Sequence, residues 1–130
     1  MNNLPLNVRK FMPLMQQRIV ANSEEFAEIV EQLENELQQI PEYYDETETV
    51  FAHFFFRDCD WFVLNWDREN ELIFCYAIIN GDLEMSELGD AYLPELLNSQ
   101  IPIELDFHWE KKSLAQAKYK KYPNYFPKPQ

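Results

Sequence analysis

Glycine is almost missing from this chain: Gly81 and Gly89 are the only two. A phosphate-cradling loop needs clustered glycines, because the backbone must approach the phosphate with no Cβ in the way. Neither a Walker loop nor a G-x-G-x-x-G fingerprint is present, and G-x-S-x-G is missing too, so nucleotide-dependent chemistry is not expected. Cysteine is equally scarce. Cys59 and Cys75 form no C-x-x-C pair and have no further cysteines to complete a zinc set. With no charged-then-apolar leader, a cytoplasmic protein with reduced thiols is expected. No run of 18 apolar residues occurs, so no membrane span is expected.

Basic residues are absent over two long stretches. Residues 19–56 and 69–110 each carry ten acids and no Lys or Arg. All 23 acids lie between Ile19 and Glu110, opposed there only by Arg57 and Arg68, while the other nine cations sit in residues 1–18 and 111–130. Such a field repels nucleic-acid and membrane phosphates and favours a partner with a basic surface. Neither direct nucleic-acid binding nor membrane contact is expected.

Apolar and aromatic residues are plentiful. Twenty rings and an apolar fraction of 46% exclude global disorder despite a net charge of -12. The 130 residues suit one domain, residues 1–130, that buries a core without disulfide or metal staples.

Periodicity divides the chain. Residues 1–20, broken by Pro5 and Pro13, read as a lead-in with one short helix. Asn22 followed by Glu25 signals a capping box, and Phe26, Ile29, Val30, Leu33, Leu37 and Ile40 recur at helical spacing. A helix over residues 23–39 follows, stopped by Pro41, with Glu24, Glu25, Glu28, Glu31, Glu34 and Glu36 on its polar face. After the linker PEYYDETET, residues 50–56, 61–67 and 71–79 read as strands joined by the turns RDCD and DREN. Asn80-Gly81 signals a hairpin into a short strand, 82–85, completing a four-stranded meander. Ser86 is placed to cap a second helix to Leu97, bent at Pro94. IPIELDFHWE, residues 101–110, alternates apolar and polar and predicts a further strand, with Glu104, Asp106, His108 and Glu110 on its wet face. A basic helix from Ser113 and an irregular tail, residues 120–130, close the chain.

Four groups of residues invite a chemical reading. HFFFRDCDWFVLNWD, residues 53–67, gathers six rings beside Asp58 and Asp60. Rings that stack bases need cations tracking the backbone, and here the surroundings are acidic, so the rings are expected in the core and the carboxylates in the turn. Asp58, Asp60 and Asp67 lack the glycine and distal glutamate of a calcium loop and read as turn residues. His53 lies between phenylalanine-rich neighbours, where a half-buried hydrogen-bonded ring is the ordinary outcome. His108, sharing a face with Asp106 and Glu110, admits a metal or acid–base reading, but ligands on one strand face are about 6.6–6.8 Å apart, so another element would have to contribute. No metal ligand set, cofactor or catalytic residue is assigned. The carboxylates of Glu24, Glu28, Glu31 and Glu34, with Glu104, Asp106 and Glu110, are the candidate partner-binding residues: closely spaced negative charge of this kind imitates DNA phosphates. A merely solubilising acidic surface is the alternative.

The segments Trp61 to Asp67, Phe74 to Gly81, Glu84 to Leu88 and Glu104 to Leu114 stand in an order that resembles the family known as domain of unknown function 2958, over roughly residues 50–119. The family's glycine after the paired aromatic strands is replaced at Cys75 or Tyr76, and the glycine of its acidic segment is missing. The resemblance implies a bacterial, plasmid-borne or phage-borne small protein and carries over no catalytic residue.

The expected fold is α+β: an antiparallel sheet, meander plus a further strand, with the acidic N-terminal helix and a second helix packed on it. The expected function is that of a non-enzymatic acidic interaction protein binding a basic protein surface, in its sharpest form a phage or mobile-element accessory that inhibits a nucleic-acid-binding machine by mimicking DNA. The alternatives are a small metal-assisted hydrolase using Asp106, His108 and Glu110 with Asp58 or Asp60, or a passive structural oligomer. Identity of the partner and oligomeric state are left open.

Overall fold

A computed structural model of the chain describes residues 4–130. The first three residues of the predicted lead-in lie outside the described residues. The remainder of that lead-in is two helices, α1 (Leu6–Phe11) and α2 (Leu14–Ala21). Pro5 and Pro13 stand at their N-caps and their carbonyls accept the first helical bonds, from Arg9 N and Gln17 N, each at 3.0 Å. Proline has no N–H to lose at that position, so residues read as breakers are starters. Glu34 supplies the donors' missing partner: its carboxylate accepts from Val8 N at 3.0 Å and Asn7 N at 3.4 Å, N–H groups that a helix leaves open, and from Asn7 Nδ2 at 2.9 Å.

A 3₁₀ turn, Glu24–Phe26, leads into α3 (Ala27–Gln38), which buries Val30, Leu33 and Leu37 as the spacing predicts. Its cap is Ser23, whose side chain accepts from Glu25 N, and not Asn22, whose amide donates back to Arg18 O. Arg68 closes the other end, donating to Leu37 O at 2.9 Å and Ile40 O at 3.0 Å while lying over the Trp66 ring. A cation on the last carbonyls of a helix also complements its dipole.

The strands are β1 (Thr49–Val50), β2 (Ala52–Phe56), β3 (Cys59–Asp67), β4 (Leu72–Ile78), β5 (Glu87–Tyr92), β6 (Glu104–Leu105) and β7 (Lys112–Ser113). One antiparallel sheet has the order β5-β4-β3-β2-β6, and β1 pairs with β7 beside it. The expected α+β architecture of meander plus further strand is what the chain adopts, but the fourth strand is Glu87–Tyr92 rather than residues 82–85. Asn80 and Gly81 do have positive φ, 55° and 68°. They open an eight-residue excursion, 79–86, that folds back on the first hairpin through Gly81 N to Asp58 O at 2.8 Å. Ser86 bonds Tyr76 Oη rather than capping a helix, and Pro94 begins the short α4 (Leu93–Leu97) instead of bending a longer one.

Eight of the nine residues of β3 are buried, so the sheet is covered on both faces. Phe54, Trp61, Val63, Ile73 and Cys75 face α1, α3 and α4. Phe62, Leu64, Tyr76 and Ile78 face the predicted basic helix, α5 (Leu114–Lys121), and Phe126 of the tail. A bulge between Val63 and Asn65 shifts the parity by one and returns Trp66 to the α1 side. There Phe11 is sealed between Phe54, 5.0 Å away ring to ring, and Trp66, 4.9 Å away. Gln16 of α2 covers the sheet edge, its amide exchanging bonds with Leu105 N and O. Replacing Phe11 by alanine should therefore cost about 3–5 kcal/mol in a urea titration; a loss under about 0.5 kcal/mol, as for an exposed site, would show that α1 is not part of the core.

Candidate functional site

Side-chain parity builds the site. The hairpin turn between β2 and β3 is only Arg57 and Asp58, because Phe56 already pairs with Cys59. Asp60 is thereby drawn out of the predicted turn and into the strand, on the same face as Phe62 and Leu64, with no exposed surface at all. His53 stands opposite Phe62 on β2, and a diagonal neighbour across antiparallel strands is within reach of a ring. Its Nε2 lies 2.7 Å from Asp60 Oδ1. The ring is held flat by Phe62, 4.9 Å away at 14°, and roofed by Trp109, whose Nε1 donates to Val50 O.

Asp106 completes the arrangement and explains where β6 ends. Its N–H donates to His53 O at 2.9 Å, its Oδ1 accepts from His108 N at 3.0 Å, and its Oδ2 lies 3.3 Å from His53 Nδ1. This Asx turn bends the chain after Leu105. From above, α5 contributes Lys121. Leu114, Ala117 and Lys121 recur at helical spacing, so the third follows the two buried residues toward the sheet and brings its Nζ 3.5 Å from Asp60 Oδ1. The helix is anchored by a capping box between Ser113 and Gln116.

The charges follow from these contacts. Burial disfavours a charged His53, but the hydrogen bonds and negative charges of Asp106 and Asp60 outweigh it and hold its pKa above the ordinary 6.5. Carboxylates accept, so a ring with one on each nitrogen favours the imidazolium, in which both nitrogens donate. The same bond to His53, against partial burial and with help from His108 N, lowers the pKa of Asp106. A ring whose two nitrogens are both engaged has none left to take a proton from a substrate, so in this geometry His53 is an ion-pair bridge rather than a general base. Asp60 Oδ2 is buried with no hydrogen-bond partner among the described residues.

The predicted site residues are dispersed. Glu24, Glu28 and Glu31 are exposed along α3 and the turn before it, whereas Glu34 is half-buried against α1. Glu104 is exposed in β6, opposite Phe55. Asp106 turns inward to His53, and His108 and Glu110 are exposed beyond the Asx turn. The single wet face expected for residues 101–110 thus exists only as far as Leu105. Asp58 stays at the hairpin tip, exposed, and Asp67 bonds Asn70. Among the described residues no group of three or more His, Cys, Asp and Glu side chains is arranged to hold a metal ion. The pairing of His53 with Asp60 was missed because RDCD was read as a four-residue turn. The signal was parity: an Asp in step with Phe62 and Leu64 requires a partner, and His53 is in step with the same face.

Fold and site together define an α+β protein whose sheet is covered on both faces and carries an Asp–His–Asp bridge, buried at Asp60 and His53, under a basic helix. No family model matches the chain, no curated protein matches it, and no solved structure matches it. No helix among the described residues is long and apolar enough to cross a membrane.

Replacing His53 by leucine leaves Asp60 buried beside Lys121 alone and should cost about 3–5 kcal/mol; a loss below about 1 kcal/mol would show that the bridge is not closed. The pH dependence has a defined sign. A raised His53 pKa contributes stability that is complete below 6.5 and is lost as pH rises through the raised value. The lowered Asp106 contributes above 3.8 and is lost as pH falls through its own lowered value. Urea midpoints should fall from pH 6.5 upward in the wild type and stay level in His53→Leu over the same range, while a level wild-type profile would contradict the assignment.

Proposed function

We propose that this is a non-enzymatic acidic interaction protein that binds a basic protein surface through the exposed glutamates of α3 and the turn before it, and that its partner is a nucleic-acid-binding protein or complex inhibited by mimicry of DNA. The observation that carries the reading is that the carboxylates of Glu24, Glu28 and Glu31 have no hydrogen-bond or ion-pair partner among the described residues, although the chain holds eleven cations. Arg68 is used to close α3, Arg57 lies over the Phe56 ring, and Lys121 is drawn to Asp60 on the opposite face of the sheet. Carboxylates left uncompensated in this way steer a basic partner and hold it at low salt. Glu28 and Glu31 are roughly 4.5 Å apart along the helix axis, against about 3.4 Å of axis per phosphate on one DNA strand. The helix therefore imitates a short stretch of one strand and not a whole duplex. The resemblance to domain of unknown function 2958 supports a plasmid or phage setting. The metal-assisted hydrolase has less support: Asp60 is inaccessible, Asp58 is at the hairpin tip, and Asp106 is engaged by His53.

Capture from host lysate at low salt should retain a nucleic-acid-binding protein that duplex DNA displaces and that the triple variant Glu24→Gln/Glu28→Gln/Glu31→Gln does not retain. Equal retention by the triple variant would refute α3 as the contact. Glu34→Gln should behave in the opposite way, leaving capture intact while lowering stability by about 1 kcal/mol through loss of the α1 cap; lost capture at unchanged stability would put Glu34 in the contact surface.

A further inference from the structure

On the far side of the sheet from those glutamates, α5 and the Asx turn enclose a cleft of about 310 Å³. Its floor is His53, Phe62 and Ala117, and its rim carries Trp109, Lys112 and Lys120, with His108 and Lys121 beside them. Cations are rare on this molecule, and three of the eleven meet at one concave site. We propose that this cleft is a binding site for a compact oxyanion, an inorganic phosphate or the phosphate or carboxylate end of a small molecule, held by Lys112 and Lys120.

The positive charge of the cleft is not cancelled from within. Asp106 is the only carboxylate among the lining residues, and both its oxygens are already used, by His53 and by His108 N. Asp60 lies beneath, opposed by His53 and Lys121. The two carboxylates are thus matched by His53 and Lys121, leaving Lys112 and Lys120 opposed only by Glu110, which lies outside the lining. Lys112 is positioned, not merely tethered: its Nζ lies 4.1 Å from the Trp109 ring centre, an orientation that a cation–π contact holds. Partial burial and the charge of Lys120 both depress the pKa of Lys112, against the opposing pull of Glu110 and Asp106. An anion bridging the two ammonium groups relieves the repulsion and replaces the lost hydration with charge-assisted hydrogen bonds. Trp109 is in contact with the rings of His53 and Phe62 and has Lys112 over its ring, so the ring is already engaged by the chain's own side chains. That geometry suits the charged end of a ligand and not a nucleobase.

Trp109 also gives the test its readout, supported by amide shifts of residues 108–121 in NMR. The full chain would be titrated with sodium phosphate and with sodium acetate at constant pH 7 and constant ionic strength, using sodium chloride as the balancing salt and as the control. The proposal expects saturable shifts centred on Lys112, Trp109 and Lys120, and at least tenfold weaker binding in Lys112→Gln/Lys120→Gln, which retains the fold by its amide spectrum. Saturation by phosphate alone assigns a phosphate site, and saturation by both anions a general oxyanion site; either supports the proposal. No saturable response beyond that of chloride, or an undiminished response in the double variant, overturns it. If the double variant does not fold, the single variant Lys120→Gln, altered at an exposed residue, decides on the same criterion. None of these outcomes depends on whether the α3 glutamates bind a partner.

Discussion

The burial of β3 on both faces is the constraint from which the rest of the molecule follows. A strand with eight buried residues must be covered twice, and each covering recruits its own part of the chain. The N-terminal helices close one side through Phe11, Val8 and the apolar edge of α3. The C-terminal helix and Phe126 close the other. On that second side one buried residue is an aspartate, and an isolated buried carboxylate is too costly to leave unpaired. His53 of β2 and Lys121 of α5 are its answer, and Asp106, in the turn after β6, holds the other nitrogen of His53. A buried ion pair adds little net stability compared with well-packed apolar groups. Its contribution here is positional, because Lys121 meets Asp60, and Asp106 meets His53, only when α5 and the Asx turn lie where they do.

The same economy of charge shapes the surface. With 23 acids and eleven cations, internal pairing cannot use up the carboxylates, and the cations that are well placed serve structural ends. Arg68 terminates α3, Lys112 lies over Trp109 and Lys121 meets Asp60. The remaining acids are left to solvent and to partners. The molecule is therefore two-sided, with uncompensated carboxylates along α3 and surplus ammonium groups over the cleft beneath α5. The proposed partner contact and the proposed oxyanion site are the two consequences of that one separation.

Most of the sheet was legible because its information is local. Alternation, aromatic runs and polar turns marked β2, β3 and β4, and helical spacing from Phe26 to Ile40 marked α3. What escaped was decided by contacts distant in sequence. Helices as short as α1 and α2 are unstable alone, so nothing local announces them; they exist because Phe11 fills the space between Phe54 and Trp66. The edge strand Glu87–Tyr92 has little apolar alternation and is a strand through its pairing with β4. Residues 101–110 alternate well, yet Asp106 found better partners in His53 and His108 N than a continued strand offered. The site was hidden by two residues of turn length, which decide whether Asp60 lies in the turn or in β3 on the face of Phe62 and Leu64.

The state of the His53 ring is the most direct measure of this account. Two-dimensional ¹H–¹⁵N spectra that correlate ring protons with Nδ1 and Nε2 would report its protonation across pH 5 to 9. The account predicts that both nitrogens of His53 carry protons at pH 7 and that the ring titrates above its ordinary 6.5. A His53 that is neutral at pH 7, or that titrates below 6.5, would contradict the Asp60–His53–Asp106 bridge and with it the explanation of where α5 and the end of β6 are placed.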